Sequence, residues 1–415
     1  MTATHVGAST GASDAASSRP IVNTHVHLPP NFSSFETVAD AVAHAAAEAV
    51  AALGASNFYD LRVYRAFAEA AREAGIHALF GIEIIAVLGD LQSAGTLVND
   101  PDNPGRIYLC GKGIARFEQP TPGAEVLMAR IREGSDRRIR EIADRSAERF
   151  AAAGLRTSCS EETITADTAA RSGVPPAWVA LQERHVARAL QEELFRQVPP
   201  DGRGSVLAAA FGVPSGASPT DAVAVQNEIR SRLMKAGGPA FVPEAAVSFA
   251  DAYELVLELG GIPCYPTLAD GASPICGFED PPEALADRLL ARGVHCAELI
   301  PARNRREAVD TYVGAFRRAG ILVMAGTEHN TQRRIPIEPA CLGGEESSES
   351  ARDAFWEGAC VVAAHQWLVA SGQPGYVDGR GRLNPAFDDG EARIRAFREI
   401  GAGLIRAGAP VRSRS

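Results

Sequence analysis

Short apolar runs rich in β-branched residues recur along the chain, and amphipathic helical patterns follow most of them. This alternation is typical of βα units arranged around a parallel sheet. The runs that predict strands are 21–27, 55–60, 77–87, 261–266, 295–300 and 321–326, and the patterns that predict helices are 36–53, 62–75, 248–260, 281–292 and 305–319. Six such strands are too many for a small open sheet, so the pattern favours an α/β barrel.

One long stretch, 122–240, breaks this alternation because its pattern is almost entirely helical and rich in Arg and Ala. We therefore predict a helical insertion carried by a barrel that comprises 20–121 and 241–415, with further helices at the C-terminal end. Residues 1–19 are rich in Ala, Ser, Thr and Gly and have no basic start followed by an apolar run. They predict a disordered tail and not a secretory signal.

Composition limits the classes of function. The chain has 415 residues, 46% of them hydrophobic, and a formal net charge of -10. The charge argues against binding a nucleic-acid polymer, because phosphate-backbone binding needs clustered Lys and Arg in excess, but a few local arginines would suffice for a small anionic substrate. Seven scattered cysteines without a CxxC pair fit a reducing cytoplasm. We expect no membrane span, and the sequence leaves the oligomeric state open.

His25 and His27 are two residues apart at the end of the first predicted strand. Their side chains project from the same face and can reach one ion, and imidazole suits zinc, manganese and iron alike. In α/β barrels, functional groups gather at the C-terminal ends of the strands. This position favours a metal site over two histidines held only by hydrogen bonds.

Two carboxylates are further candidate metal ligands. Glu83 interrupts a very apolar strand, where a charge is costly unless it is paired, so it is either a metal ligand or half of a buried salt bridge. Glu328 and His329 follow the strand 321–326 at its mouth. We predict Glu328 as a ligand and His329 as a group beside the ion or the substrate, the alternative being a capping carboxylate and a surface histidine.

These strings, in this order, resemble those of the PHP (polymerase and histidinol phosphatase) superfamily from about residue 20 to 330. The similar segments are His25-Val26-His27 for the opening HxH, Gly81-Ile82-Glu83 for Gly-x-Glu, 108–111 for "HLLG", 183–190 for "GRPHIARAL", 237–243 for "GKPAYVP", 260–266 for "GGVAVLAHP" and 326–329 for "GSDFH". The resemblance implies a distorted seven-stranded (β/α) barrel of PHP type, and it is closest to the stand-alone phosphoesterases that act on nucleotide-type phosphate esters.

The resemblance also shows departures. Relatives hold two or three ions, but Tyr108 and Tyr265 stand where they have histidines, and 57–60 reads Asn-Phe-Tyr-Asp in place of Thr-Asp-His. What the resemblance leaves intact is one ion site, formed by His25, His27, Glu83 and Glu328. It therefore implies one divalent ion, Mn, Zn or Fe, with room for a second that binds more weakly.

A neutral tyrosine is a poor metal ligand but a good hydrogen-bond donor to phosphate. We therefore predict that Tyr108 and Tyr265 contact substrate, the alternative being that they fill the volume of lost ligands. Arg184, His185 and Arg188 match the family string in the insertion, which implies substrate contacts there. A lone histidine on such a helix is equally compatible with a packed residue.

The sequence thus predicts a metal-dependent hydrolase that cleaves a small phosphate ester with a metal-activated water. Asp60 or His329 would handle the proton, and Tyr265 would assist. One alternative is a single-metal isomerase, lyase or C–N or C–O hydrolase acting on a sugar acid or hydroxy-carboxylate, with the tyrosines as proton carriers. Another is a non-catalytic, ligand-binding relative.

Overall fold

The computed structural model describes residues 19–244 and 246–408. The predicted disordered tail, 1–19, lies outside the described residues apart from Arg19. Within the described ranges, none of the helices combines the length and the apolar character needed to cross a membrane.

One sheet forms the centre of the molecule. Its strands are β1 (Ile21–Val26), β2 (Val50–Phe58), β3 (His77–Val87), β4 (Arg106–Lys112), β5 (Val247–Ser248), β6 (Ile262–Thr267), β7 (Cys296–Leu299) and β8 (Leu322–Ala325). Hydrogen-bonded neighbours follow the order β1-β2-β3-β4-β6-β7-β8, and the short β5 pairs with β3. A parallel bridge between Val26 and Glu328 joins the two ends of this order. The sheet is therefore a nearly closed barrel.

The sheet is mixed, so the expectation of a parallel sheet was wrong at one place. β4 is antiparallel to both β3 and β6, while the other pairs are parallel. Only a short helix, Gly89–Ser93, lies between β3 and β4, and this connection returns the chain beside β3 in the opposite direction. The predicted helix 36–53 was also too long, because the helix ends at Ala47 and β2 begins at Val50. Alanine and valine there fit either pattern.

Helices surround the sheet and close its base. They are α1 (Val38–Ala47), α2 (Tyr64–Glu73), α3 (Gly89–Ser93), α4 (Pro122–Ala152), α5 (Glu161–Ser172), α6 (Glu183–Gln197), α7 (Pro200–Phe211), α8 (Ala222–Ile229), α9 (Phe249–Glu258), α10 (Pro282–Leu290), α11 (Arg306–Arg318), α12 (Glu349–Ala370) and α13 (Gly390–Arg406). Val22, Leu79 and Leu322, near the starts of their strands, share an apolar cluster with Val361 of α12. This cluster fills the base and leaves the carboxyl ends of the parallel strands as the open mouth.

The segment between β4 and β5 is helical, from α4 to α8, with a π-helical turn at Arg230–Met234. It has an apolar core of its own, in which Ile142 and Phe150 of α4 pack with Leu190 of α6 and Leu207 of α7. A separate core explains how so long a helical segment can be carried on one barrel connection.

Candidate metal centre and anion cavity

Three side chains converge inside the barrel mouth. Nε2 of His25 and Nε2 of His27 lie 3.5 Å and 3.2 Å from Oε2 of Glu83. One ligand atom from each residue falls within 4.8 Å of the others. His25 lies in β1 and His27 directly follows it, so their spacing of two and the inward register of β3 produce this convergence, as the strand periodicity predicted.

The three residues fit a divalent cation. All are buried, and His25 Nε2, both His27 ring nitrogens and Glu83 Oε2 have no hydrogen-bond partner. Buried polar atoms are normally paired, so convergent unpaired lone pairs indicate a place for a cation. Burial lowers the pKa of His27, which keeps its imidazole in the neutral form that metals bind. Burial and Lys112 would also lower the pKa of His25, but Glu298 raises it well above its usual value, so an ion would release a proton from His25 on binding. Two imidazoles and a carboxylate suit zinc, manganese or iron.

A buried ion pair lies on the other side of His25. Nδ1 of His25 is 2.7 Å from Oε2 of Glu298, and Oε1 of Glu298 accepts a 2.7 Å hydrogen bond from Nζ of Lys112. Burial alone would raise the pKa of Glu298, but Lys112 and His25 lower it to about 2. Sequence reasoning missed Glu298, although a carboxylate inside the apolar strand 295–300 is the same signal that marked Glu83.

A second convergent group, His25, Cys110 and Glu298, shares His25 with the first. Here the carboxylate is already neutralised by Lys112, whereas the atoms of His25, His27 and Glu83 that face each other are unpaired. The group that includes His27 and Glu83 is therefore the better candidate for an ion.

Glu328 and His329 lie at the mouth but are engaged elsewhere. Both have left-handed backbone conformations, with φ of 59° and 52°, in the turn that was expected after β8. Arg303 and Asn330 hold the Glu328 carboxylate through its Oε2 atom, and the predicted fourth ligand does not join the convergent ligand atoms of the other three. The ring of His329 contacts Thr327 Oγ1 at 2.7 Å and Ile335 O at 3.0 Å, which leaves no free nitrogen for proton transfer.

A cavity of about 450 Å³ opens beside Glu83, between the barrel mouth and the insertion. Its aromatic wall contains Phe32, Phe58, Tyr59 and Tyr108. Phe58 also stacks on His27, with 5.2 Å between ring centroids and 8° between ring planes. Tyr108 therefore reaches the cavity as predicted, although substrate contact remains a prediction. Burial, together with Asp100, raises its pKa well above the usual value, so the phenol keeps its proton.

The opposite wall carries positive charge from the insertion. Glu183 is shared by Arg138, Arg230 and Lys235, at 2.5, 3.0 and 2.9 Å. Arg184 donates to the neutral Asn227 at 3.2 Å, and burial together with Arg230 lowers its pKa to about 10, so it stays charged at neutral pH. Glu244, 3.5 Å from Arg138, is a second carboxylate at this wall. Four cations against two carboxylates still leave a net positive charge, which favours binding of an anion.

Several residues predicted from sequence are not brought to this cavity, and Tyr265 is the most informative. It is fully buried in the layer between sheet and helices, and its phenol donates to Glu279 at 2.9 Å. Side chains alternate along β6, so Tyr265 points outward while its neighbour Pro266 lines the cavity. The expectation that Tyr265 points into the pocket is corrected by this alternation.

Asp60, His185 and Arg188 also lie apart. Asp60 is paired with Arg62 and with Arg132, at 2.8 and 3.0 Å. His185 Nδ1 accepts from the backbone N–H of Gln182 at 3.0 Å, and burial lowers its pKa to about 3. Both His185 and Arg188 line a separate cavity of about 110 Å³. These positions give Asp60 and His185 structural partners and leave Arg184 as the predicted insertion residue that faces the main cavity.

Comparison with known proteins identifies the fold. No family model and no curated protein matches the chain. An amidohydrolase from Chromobacterium violaceum, solved with bound sulfate and no metal, has a TM-score of 0.52 and 17% identity, covering 77% of this chain and 93% of that one.

A second solved structure gives a similar result. A protein assigned as a metal-dependent phosphoesterase, from Bifidobacterium adolescentis, has a TM-score of 0.52 and 16% identity, covering 80% of this chain and 94% of that one. At such identities the likeness is one of fold. The chain thus shares the α/β barrel fold of these two proteins, and its membership of the PHP superfamily remains a prediction.

Proposed function

We propose that this protein is a metal-dependent hydrolase that cleaves a small phosphate ester. The observation that supports this best is the pairing of two features across one cavity. Unpaired ligand atoms of His25, His27 and Glu83 lie on one side, and the cationic surface around Glu183 lies on the other. An anionic group held by the insertion would face the metal ligands. The sulfate in one structural neighbour and the phosphoesterase assignment of the other agree with this proposal.

The chain's own residues would bind and orient the substrate. Arg184, Arg230 and Lys235 would hold the phosphate oxygens, and the protonated phenol of Tyr108 would donate a hydrogen bond to an oxygen that gains charge. A bound divalent ion, whether Mn, Zn or Fe, would supply an activated water and polarise the phosphoryl oxygen. Phe32 and Phe58 would exclude bulk water from the aromatic side of the cavity.

A second candidate is a single-metal hydrolase of C–N bonds in an anionic substrate. It is favoured by the amidohydrolase neighbour and by Lys112, which neutralises the carboxylate of the adjacent ligand group and so leaves one group for an ion. A carboxylate of the substrate would occupy the same cationic surface. The small anionic substrate and the cytoplasmic location are proposals common to both candidates.

One experiment separates the candidates. Purified protein is analysed for metal by mass spectrometry and then supplied with Mn, Zn or Fe and assayed against phosphate monoesters, phosphate diesters and N-acyl amino acids. We expect about one metal ion per chain and phosphate release from a monoester or diester. A metal-loaded protein that releases only amines would establish the second candidate. Metal uptake without turnover of any substrate would favour a ligand-binding protein.

A further inference from the structure

Lys112 is buried in the barrel interior with all of its hydrogen-bonding capacity used. Its Nζ donates to Glu298 Oε1 at 2.7 Å, to the backbone carbonyl of Thr24 at 3.0 Å and to Ser56 Oγ at 3.0 Å. The side chain is 2% exposed. A lysine so enclosed cannot reach the cavity or a substrate. Its charge can therefore act only on groups inside the barrel, of which Glu298 is the ionised partner.

Glu298 is saturated by donors on both oxygens. Oε1 accepts from Lys112 and from Thr24 Oγ1, the latter at 2.7 Å, and Oε2 lies 2.7 Å from Nδ1 of His25. A carboxylate in this position can only accept, so Nδ1 of His25 must carry a proton. Nε2 lies on the side of His27 and Glu83, 3.5 Å from Oε2 of Glu83, and has no hydrogen-bond partner, so it is the nitrogen left for an ion.

We propose that the Lys112–Glu298 ion pair is a positioning device that fixes which nitrogen of His25 is offered to the metal. Lys112 anchors Glu298, Glu298 orients the imidazole, and the imidazole presents Nε2 to the centre it forms with His27 and Glu83. Carboxylates that hold the far nitrogen of a metal-bound histidine commonly strengthen metal binding. Lys112 acts entirely through Glu298.

The opposite arrangement is an ion on the Nδ1 side of His25, held with Cys110 and Glu298. That ion would replace the hydrogen bond between Nδ1 of His25 and Oε2 of Glu298 and would acquire a thiolate ligand. The two arrangements differ in the protonated nitrogen of His25 and in the presence of a sulfur ligand. Both differences are observable in the metal-loaded protein without any turnover assay.

The first measurements use the full, unmutated chain, and they rest on the proposed metal centre. Histidine nitrogen NMR of the Zn-loaded protein should show Nδ1 of His25 protonated and Nε2 coordinated. The Co-loaded protein should lack a thiolate-to-cobalt charge-transfer band, and Cys110→Ser should leave its spectrum unchanged. A thiolate band, or coordination through Nδ1, overturns the inference. A chain that takes up none of Zn, Mn or Co overturns the metal centre and the inference together.

The second measurements use variants whose Zn affinity is determined by chelator competition. Glu298→Gln should weaken binding roughly 10- to 100-fold, the usual range for a lost orienting partner. Lys112→Met should also weaken it, and Lys112→Met/Glu298→Gln should bind no more weakly than Glu298→Gln alone. Gln366→Met is the control, since Gln366 is equally buried and bonds to Phe80 N and Ala78 O at 2.8 and 3.0 Å, outside the metal group.

Zn affinity and stability together distinguish a positioning role from a general loss of packing. The control should lose stability while its Zn affinity stays within about twofold of the parent. If Glu298→Gln and Lys112→Met fold and bind Zn as tightly as the parent, the inference is wrong while the metal centre stands. If the losses of the two single variants add up in the double variant, Lys112 does not act through Glu298. If Lys112→Met does not fold, the NMR and cobalt measurements on the unmutated chain still decide the matter.

Discussion

The phenol of Tyr265 donates a 2.9 Å hydrogen bond to the carboxylate of Glu279. The same carboxylate accepts the backbone N–H groups of Leu268 and Ala269, at 2.9 and 2.6 Å. Tyr265 therefore ties the end of β6 to the loop that follows it, and Leu268 of that loop lines the cavity. The tyrosine supports the cavity wall from behind.

Tyr265→Phe should lower the free energy of unfolding by about 1 kcal/mol, because it removes one buried hydrogen bond and leaves the ring in place. KM and kcat should remain close to the parent values. Tyr108→Phe, at the tyrosine that does line the cavity, should raise KM or lower kcat with little change in stability. Denaturant unfolding and steady-state kinetics on both variants provide the check, and a kinetic loss in Tyr265→Phe would contradict the assignment.

Glu279 should make stability depend on pH. Burial raises its pKa to about 7 in the folded protein, against hydrogen bonds that lower it, while an unfolded glutamate titrates near 4.3. The folded state keeps a proton that the unfolded chain loses. The contribution of Glu279 to stability therefore falls as pH rises from about 4.3 to 7, by up to about 4 kcal/mol.

Glu279→Gln does not titrate and should lack this slope. Urea unfolding of parent and variant at several pH values would test the prediction. The unfolding free energy of the parent minus that of the variant should fall as pH rises from about 4.3 to 7. A difference that is constant across this range would contradict it.

Glu83→Gln should abolish tight metal binding, because it removes the only carboxylate of the group formed with His25 and His27. We expect a loss of at least about 100-fold in metal affinity and a matching loss of turnover. Metal content after dialysis and activity with added metal give the result. Removal of metal from the parent by chelation should have the same effect on turnover and should be reversed by adding metal back.

Arg303→Met should strengthen metal binding several-fold, because it releases the Glu328 carboxylate that Arg303 now holds. The effect should vanish in Arg303→Met/Glu328→Gln, where no carboxylate is available to turn inward. Isothermal titration with Mn or Zn would measure both affinities. An unchanged affinity in the single variant would remove Glu328 from the predicted ligand set.

Arg184→Met should raise KM for an anionic substrate by roughly tenfold, the cost of one hydrogen bond to a charged group. Arg188→Met is a matched control on the same helix, since Arg188 pairs with Glu192 at 2.9 Å and lines the smaller cavity. Steady-state kinetics of the two variants should differ clearly. Equal effects would argue against the cationic surface as the substrate site.

The part of the site that could be predicted from sequence depends on local patterns. The convergence of His25, His27 and Glu83 could be predicted because strand periodicity and a charge within an apolar run are patterns that span only a few residues. The pairing of Asp60 with Arg132 could not be predicted from sequence, because it joins residues 72 positions apart in the chain. The outward direction of Tyr265 could not be predicted either, because strand alternation shows only that Tyr265 and Pro266 face opposite sides and not which of them faces the cavity.

The limits on the fold have the same physical origin. Apolar runs indicated six of the strands but missed β4 and the two-residue β5. Nothing in the residues of β4 shows that it runs antiparallel to its neighbours. The connection after β3 contains only the short helix α3 and returns the chain antiparallel to β3. The ion pair of Glu298 with Lys112 could not be predicted from local patterns either, because the two residues lie 186 positions apart in sequence.

The seam between β1 and β8 has a consequence for assembly. Backbone bonds from Thr327 and Glu328 to the His25 carbonyl, at 3.1 and 2.8 Å, join residues about 300 positions apart. A Cβ atom at Gly326 would lie 2.2 Å from Cβ of His25, so only glycine permits this approach. Closing so long a chain segment costs conformational entropy that is recovered only when the barrel is complete. A chain that still lacks β8 lacks these bonds to His25, so the proposed metal centre should bind an ion only once the barrel is complete.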